Sequence, residues 1–143
     1  MQARKPMNSL LTVLLFMLTL STTPLAADQA EKAATESANH WLSLIDRGNY
    51  AASWDAAAPL FKGAVQKGQW ARMLENTRAP LGKVISRTVK SAVYTTSLPG
   101  APDGKYVVIR YESSFEHKKS AIETVTPSLG DDGHWRISGY FIR

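Results

Sequence analysis

The chain contains no cysteine. Disulfides, thiolate nucleophiles and thiolate metal ligands are therefore excluded, and no sulfur is available to carry a lipid anchor. Histidine is scarce. His40, His117 and His134 fall in three separate segments, without the close spacing that a metal-binding pair on one helix requires. No G-x-G-x-x-G, P-loop or G-x-S-x-G occurs, so neither a phosphate cradle nor a nucleophile elbow has a basis in the sequence. No basic stripe interleaved with aromatics is present, and nucleic acid is not expected as a partner despite the net charge of +5. The closest acidic pair, Asp131–Asp132, lies between glycines in a hairpin-turn signal. A calcium loop would need further oxygen ligands at alternating positions. No metal and no cofactor is expected.

Long apolar runs are also absent beyond the beginning of the chain. There, "MQARKPMNSLLTVLLFMLTLSTTPLAADQ" has the three parts of a secretory signal peptide. Arg4 and Lys5 form the basic region, Leu10–Leu20 the apolar region, and the small residues before Asp28 the cleavage region. Cleavage is expected after Ala27, with Ala26 as the alternative. The apolar run falls short of the roughly 20 residues that a membrane span needs. Residues 1–27 are thus expected to leave and residues 28–143 to form one α+β domain, in the periplasm or secreted, and not as a lipoprotein. Membrane contact would occur only through the signal peptide before cleavage. Removing 27 of the 143 residues leaves 116, and the loss of Arg4 and Lys5 from 17 basic residues against 12 acidic ones leaves a charge of +3. A chain of this size buries one modest core.

The remaining sequence divides by hydrophobic period. Residues 28–46 place Ala34, Ala38, Trp41, Leu42 and Ile45 at helical spacing. Gly48 supplies a stop and Asn49 an N-cap for a second helix, "YAASWDAAAPLF", with Tyr50, Trp54, Ala57, Ala58 and Phe61 on its apolar face. Pro59 is expected to end or kink it. A third helix, "QWARMLENTRA", aligns Trp70, Met73, Leu74 and Thr77, and Pro80 and Gly82 stop it. Beyond Lys83 the period changes to two. "VISRTVKSAVYTT", "YVVIRYESSF", "SAIETVTPSL" and "HWRISGYFIR" read as four strands joined by turn signals. Trp135, Ile137 and Phe141 are expected on one face of the last. Helices followed by an antiparallel meander predict an α+β fold with N-terminal helices packed on a curved four-stranded sheet.

This order of elements resembles the nuclear-transport-factor-2-like and cystatin-like folds, in which a sheet wraps helices as a cone. The segments "LIDRGNYAASWDAAAPLFK", "QWARMLENTRAPLGKVISR", "TTSLPGAPDGKY" and "DDGHWRISGYFI" resemble the bacterial family called domain of unknown function 4019, over about residues 40–143. That resemblance implies fold and export, and it carries no activity. Pro59 departs from it, standing where an ordinary helix former is expected.

Functional expectations centre on a few side chains. Arg87 shares strand parity with Ile85 and Val89, and a half-buried arginine requires a carboxylate such as Glu123 or Glu112, or an anionic ligand. Glu123 shares parity with Ala121 and Val125 and so points toward the apolar side. Four tryptophans on apolar faces either fill the core or line a cavity. The expected ligand contacts are Trp54, Arg78, Arg87, Glu123 and Tyr140. The reading is a non-catalytic binding domain for a small molecule, a peptide or an envelope partner, with a sheet-to-sheet homodimer as a further option. Its rival, by analogy with ketosteroid-isomerase-like enzymes, is an isomerase or hydratase using Glu123 or Asp55 as base with Tyr94 or Tyr140. The export expectation is checked by mass spectrometry of periplasmic material: an N-terminus at Asp28 is expected, and an intact Met1 overturns it.

Overall fold

The computed structural model describes residues 24–143. The expected leader therefore lies outside the described residues except for 24–27. Four helices, α1 (Pro24–Asp46), α2 (Tyr50–Asp55), α3 (Pro59–Ala64) and α4 (Lys67–Thr77), precede four strands, β1 (Val84–Thr95), β2 (Tyr106–Phe115), β3 (Lys118–Leu129) and β4 (Trp135–Ile142). The strands form one antiparallel sheet in the order β1-β2-β3-β4. The fold is the expected one: N-terminal helices against a four-stranded antiparallel meander. Among the described residues no helix is long and apolar enough to cross a membrane.

Helix α1 is the longest helix, and it reaches back through Ala26 and Ala27 without interruption. Ala27, Ala30, Ala34 and Ala38 recur on one side, and the last two are fully buried. Side chains of one carbon let the helix axis lie close on the sheet, where larger residues would hold it off. Two hydrogen bonds fasten it there. Ser37 Oγ donates to the Trp135 carbonyl at 2.7 Å, and the Tyr94 N–H donates to Glu31 Oε1 at 3.1 Å.

Pro59 corrects the expected second helix. It occupies the first turn of α3, where a missing N–H costs nothing, and so it starts a helix instead of ending one. Phe61 belongs to this new helix, and Ala57 and Ala58 are buried in the link. Asn49 stands at the N-cap of α2, but its side chain makes no capping bond. In α4 the buried stripe is Trp70, Leu74 and Arg78, at i, i+4 and i+8; Met73 and Thr77 face outward. The chain then makes a 3₁₀ turn at Ala79–Leu81 and leaves it through Gly82 at φ 76°. A side chain at Gly82 would be strained by that φ and would meet Glu116 Cβ at 3.0 Å.

The core is aromatic. Trp41 stacks on Trp70 at 6.2 Å between centroids, Phe61 meets Trp70 edge-on at 4.8 Å, and Tyr140 meets Trp41 at 5.4 Å. Ser53, fully buried, serves both indoles: its carbonyl accepts from Trp41 Nε1 at 2.7 Å and its hydroxyl from Trp70 Nε1 at 3.0 Å. Trp54 and Trp135 are only partly buried against this cluster.

Register irregularities decide which side chains enter the core. A slip between Thr126 and Pro127 pairs Gly139 with Thr126 and Ile137 with Pro127, leaving Ser138 as an extra residue in β4. Parity reverses across the bulge. Tyr140 therefore joins Ile137 on the helix side, and Phe141, expected inside, is 57% exposed on the other face. A second slip between Val84 and Ser86 takes Ile85 out of the parity of Arg87 and leaves it 65% exposed.

Candidate functional site

Two places in the molecule have the makings of a site: a buried charge network where α1 ends, and an apolar groove where α1 begins.

In the network, Arg87 reaches inward from β1 to two carboxylates. Its Nε donates to Glu123 Oε1 at 2.7 Å and its Nη2 to Glu123 Oε2 at 3.3 Å. Its Nη1 and Nη2 donate to Asp46 Oδ2 at 2.8 Å and Oδ1 at 3.0 Å. Arg78, at the end of α4, donates to the same Asp46 at 3.2 Å and to the Gly82 carbonyl at 2.6 Å. Its guanidinium lies 4.5 Å over the Phe115 ring, whose negative face offers the cation a partner. Arg78 Nε, in that stacked group, is the one buried side-chain polar atom without a hydrogen-bond partner among the described residues.

Glu123 is the most enclosed member, with none of its surface exposed. Besides Arg87 it accepts from Ser113 Oγ and from the Tyr140 hydroxyl, each at 2.5 Å. Each oxygen thus receives two donors, and Glu123 donates to none, the pattern of a carboxylate. Two cations and two anions balance, so no charge is buried alone.

The surrounding groups respond as this field requires. Burial disfavours the Arg87 cation, but hydrogen bonds to Asp46 and Glu123 outweigh it and raise its pKa above the ordinary value. Tyr140 lies well above the usual phenol range, first through burial and then through the Glu123 charge it faces. Burial pushes Tyr111 up to about 12, Arg87 pulling it back and Glu123 adding to the rise. The Tyr111 hydroxyl donates to Asn39 Oδ1 of α1 at 2.9 Å.

Of the residues expected at a ligand site, Arg78, Arg87, Glu123 and Tyr140 come together here: Arg87 and Tyr140 donate to Glu123, and Arg78 joins them through Asp46. Arg87 finds Glu123, one of the two carboxylates expected for it, although Ile85 does not share its face. Glu112 instead lies outside, 3.4 Å from Lys90. Trp54 stands apart, its Nε1 donating to the Val65 carbonyl at 2.8 Å. Asp55, a candidate base, is an exposed partner of Lys67 at 2.8 Å. Asp132 is taken by Arg136, whose hydrogen bonds hold the carboxyl well below the usual range. Among the described residues, no three His, Asp or Glu side chains converge as a metal set. Asp46 was missed in the sequence. A carboxylate in a last helical turn opposes the helix dipole, and that position was the available signal that it is held by cations elsewhere.

The groove has a volume of about 600 Å³. It lies between the first turns of α1 (Pro24, Ala26, Ala27, Ala30) and one end of the sheet, where β1 and β3 finish and β4 begins (Tyr94, Thr96, Leu129, Trp135). Lys105, just before β2, stands at the same end. The lining is chiefly apolar, and the volume falls within the usual range for small-molecule sites. Tyr94, considered above as a catalytic phenol, lines this groove and not the surroundings of Glu123.

Residues 37–140 match the family model described as "Protein of unknown function (DUF4019)". No curated protein matches the chain.

Two outcomes are expected of the network. Arg87→Ala should cost about 3 kcal/mol in urea unfolding, because it leaves Glu123 buried and unpaired. The Arg87→Ala/Glu123→Gln double variant should cost less than the sum of the single changes, the mark of a direct pair. Alkaline pH should also weaken the fold. A phenol raised from 10 to about 12 contributes stability that is complete below pH 10 and lost as pH rises through 12. Unfolding midpoints measured from pH 8 to 12 should fall across that window, and less steeply in Tyr111→Phe.

Proposed function

The chain belongs to the family of proteins of unknown function DUF4019, and we propose that it is an exported, non-catalytic binding domain whose ligand site is the apolar groove. The observation that carries this reading is a contrast between two places. The one carboxylate in the core, Glu123, is enclosed and accepts hydrogen bonds on both oxygens, so no substrate proton has a route to it. The groove, about 600 Å³ with residues 24–27 in place, is open and lined by groups that shed water readily.

The aromatic core supports the same reading. Trp41, Phe61, Trp70 and Tyr140 pack on one another between helices and sheet, so they fill the core there. The groove at the start of α1 is apolar, whereas a second cleft, of about 410 Å³ at the other end of α1, is lined by Asp46, Arg47, Arg78, Lys83 and Glu116. Export is part of this proposal. It rests on the leader signal.

Native mass spectrometry of the protein taken from its own cell envelope is the test. An apolar adduct is expected, and it should disappear in Ala30→Trp, where an indole fills the groove, with the thermal midpoint confirming a folded protein. An adduct that persists in Ala30→Trp places the ligand elsewhere and overturns the site.

A further inference from the structure

The groove has one chemical asymmetry. Among the described residues that line it, Lys105 is the only charged side chain. It is exposed, and it takes part in none of the ion pairs formed among the described residues. Glu31, one turn beyond Ala27, does not line the groove and is held by the Tyr94 N–H. A free cation therefore stands at the rim of an apolar trough.

The walls limit what that trough can hold. Ala27 and Ala30 present a helix surface with no side chain beyond Cβ, opposite Leu129 and Trp135. Apart from Lys105, the lining side chains carry only the Tyr94 and Thr96 hydroxyls and the Trp135 indole N–H as polar groups. A peptide or a polar metabolite would bring many donors and acceptors with few partners to receive them. An alkyl chain brings none.

Resting on the groove as the binding site, we infer that its ligand is a single-chain amphiphile with a carboxylate head. The chain lies against Ala30, Leu129 and Trp135, and the carboxylate reaches Lys105. Charge complementarity extends beyond the contact, since the exported chain is net basic. Cleavage after Ala27 would take Pro24, Ala26 and Ala27 out of the wall. Ala30, Tyr94, Thr96, Lys105, Leu129 and Trp135 stay, so the chain contacts and the cation both survive processing.

The test compares three probes of equal chain length on the exported protein: dodecanoate, dodecanol and dodecyltrimethylammonium, each followed by tryptophan fluorescence. Dodecanoate is expected to bind about fivefold more tightly than dodecanol, the size of one exposed ion pair, and dodecyltrimethylammonium most weakly. Lys105→Met should abolish the preference for the anion. Ala30→Trp should weaken all three probes. Equal binding of the three, or a preference that survives Lys105→Met, overturns the carboxylate inference while leaving the groove as a site. Binding of none of them overturns both.

Discussion

The Arg87 guanidinium is the joint on which this domain turns. It ties β1 to β3 through Glu123 and the sheet to the end of α1 through Asp46. An apolar filling of the same volume would stabilise the core at least as well, because two cations and two anions must be stripped of water to build the network. What the pairing adds is a penalty for every other arrangement. A slip of β1 by one residue turns Arg87 to the opposite face and leaves Glu123 with no cation. The Tyr140 and Ser113 hydroxyls then have a buried anion to satisfy by themselves.

The two ends of α1 consequently do different things. At Asp46 the helix is clamped by charge. Along Ala34 and Ala38 it lies close on the sheet. At Ala27 and Ala30 the same small residues, carried past the edge of the packed core, leave space that no large side chain among the described residues fills. One stripe of alanines thus produces close packing in the middle of the helix and a groove at its start. The difference lies in what stands opposite: Val107, Ile109, Val125 and Ile137 belong to the buried core, whereas Tyr94, Leu129 and Trp135 sit at the sheet's end.

Much of the fold could be read from residue order. The change of period after Lys83 marks the border between helices and sheet, and Gly82 with its positive φ sits at that border. The strand "YVVIRYESSF" coincides with β2. The failures have local causes. Pro59 is read as a stop because proline is hostile to helix interiors, yet the same lack of an N–H suits a first turn. Phe141 is read as core because strict alternation takes no account of the extra residue at Ser138. Of the charge network, the need of Arg87 for an anion was legible, with Glu123 and Glu112 as the candidate carboxylates; only the structure chose Glu123. Asp46 was not singled out, and its place in the last turn of α1, against the helix dipole, was the one local sign of its role. The groove was legible only as scattered alanines and aromatics with no apparent relation.

By itself, the sequence determined the class of fold, the order of its elements, the lack of thiol, phosphate-loop and nucleophile-elbow chemistry, and the need of Arg87 for an acidic partner. These follow from composition and short-range period, which each segment carries alone. Tertiary structure decided that Glu123 is saturated and enclosed, that Tyr140 and not Phe141 enters the core, and that an apolar groove lies at the beginning of α1. Each of these depends on bulges and on distances between segments far apart in the chain. A two-residue period cannot register an inserted residue, and no local pattern records which hydroxyl will lie within hydrogen-bonding distance of a buried carboxylate.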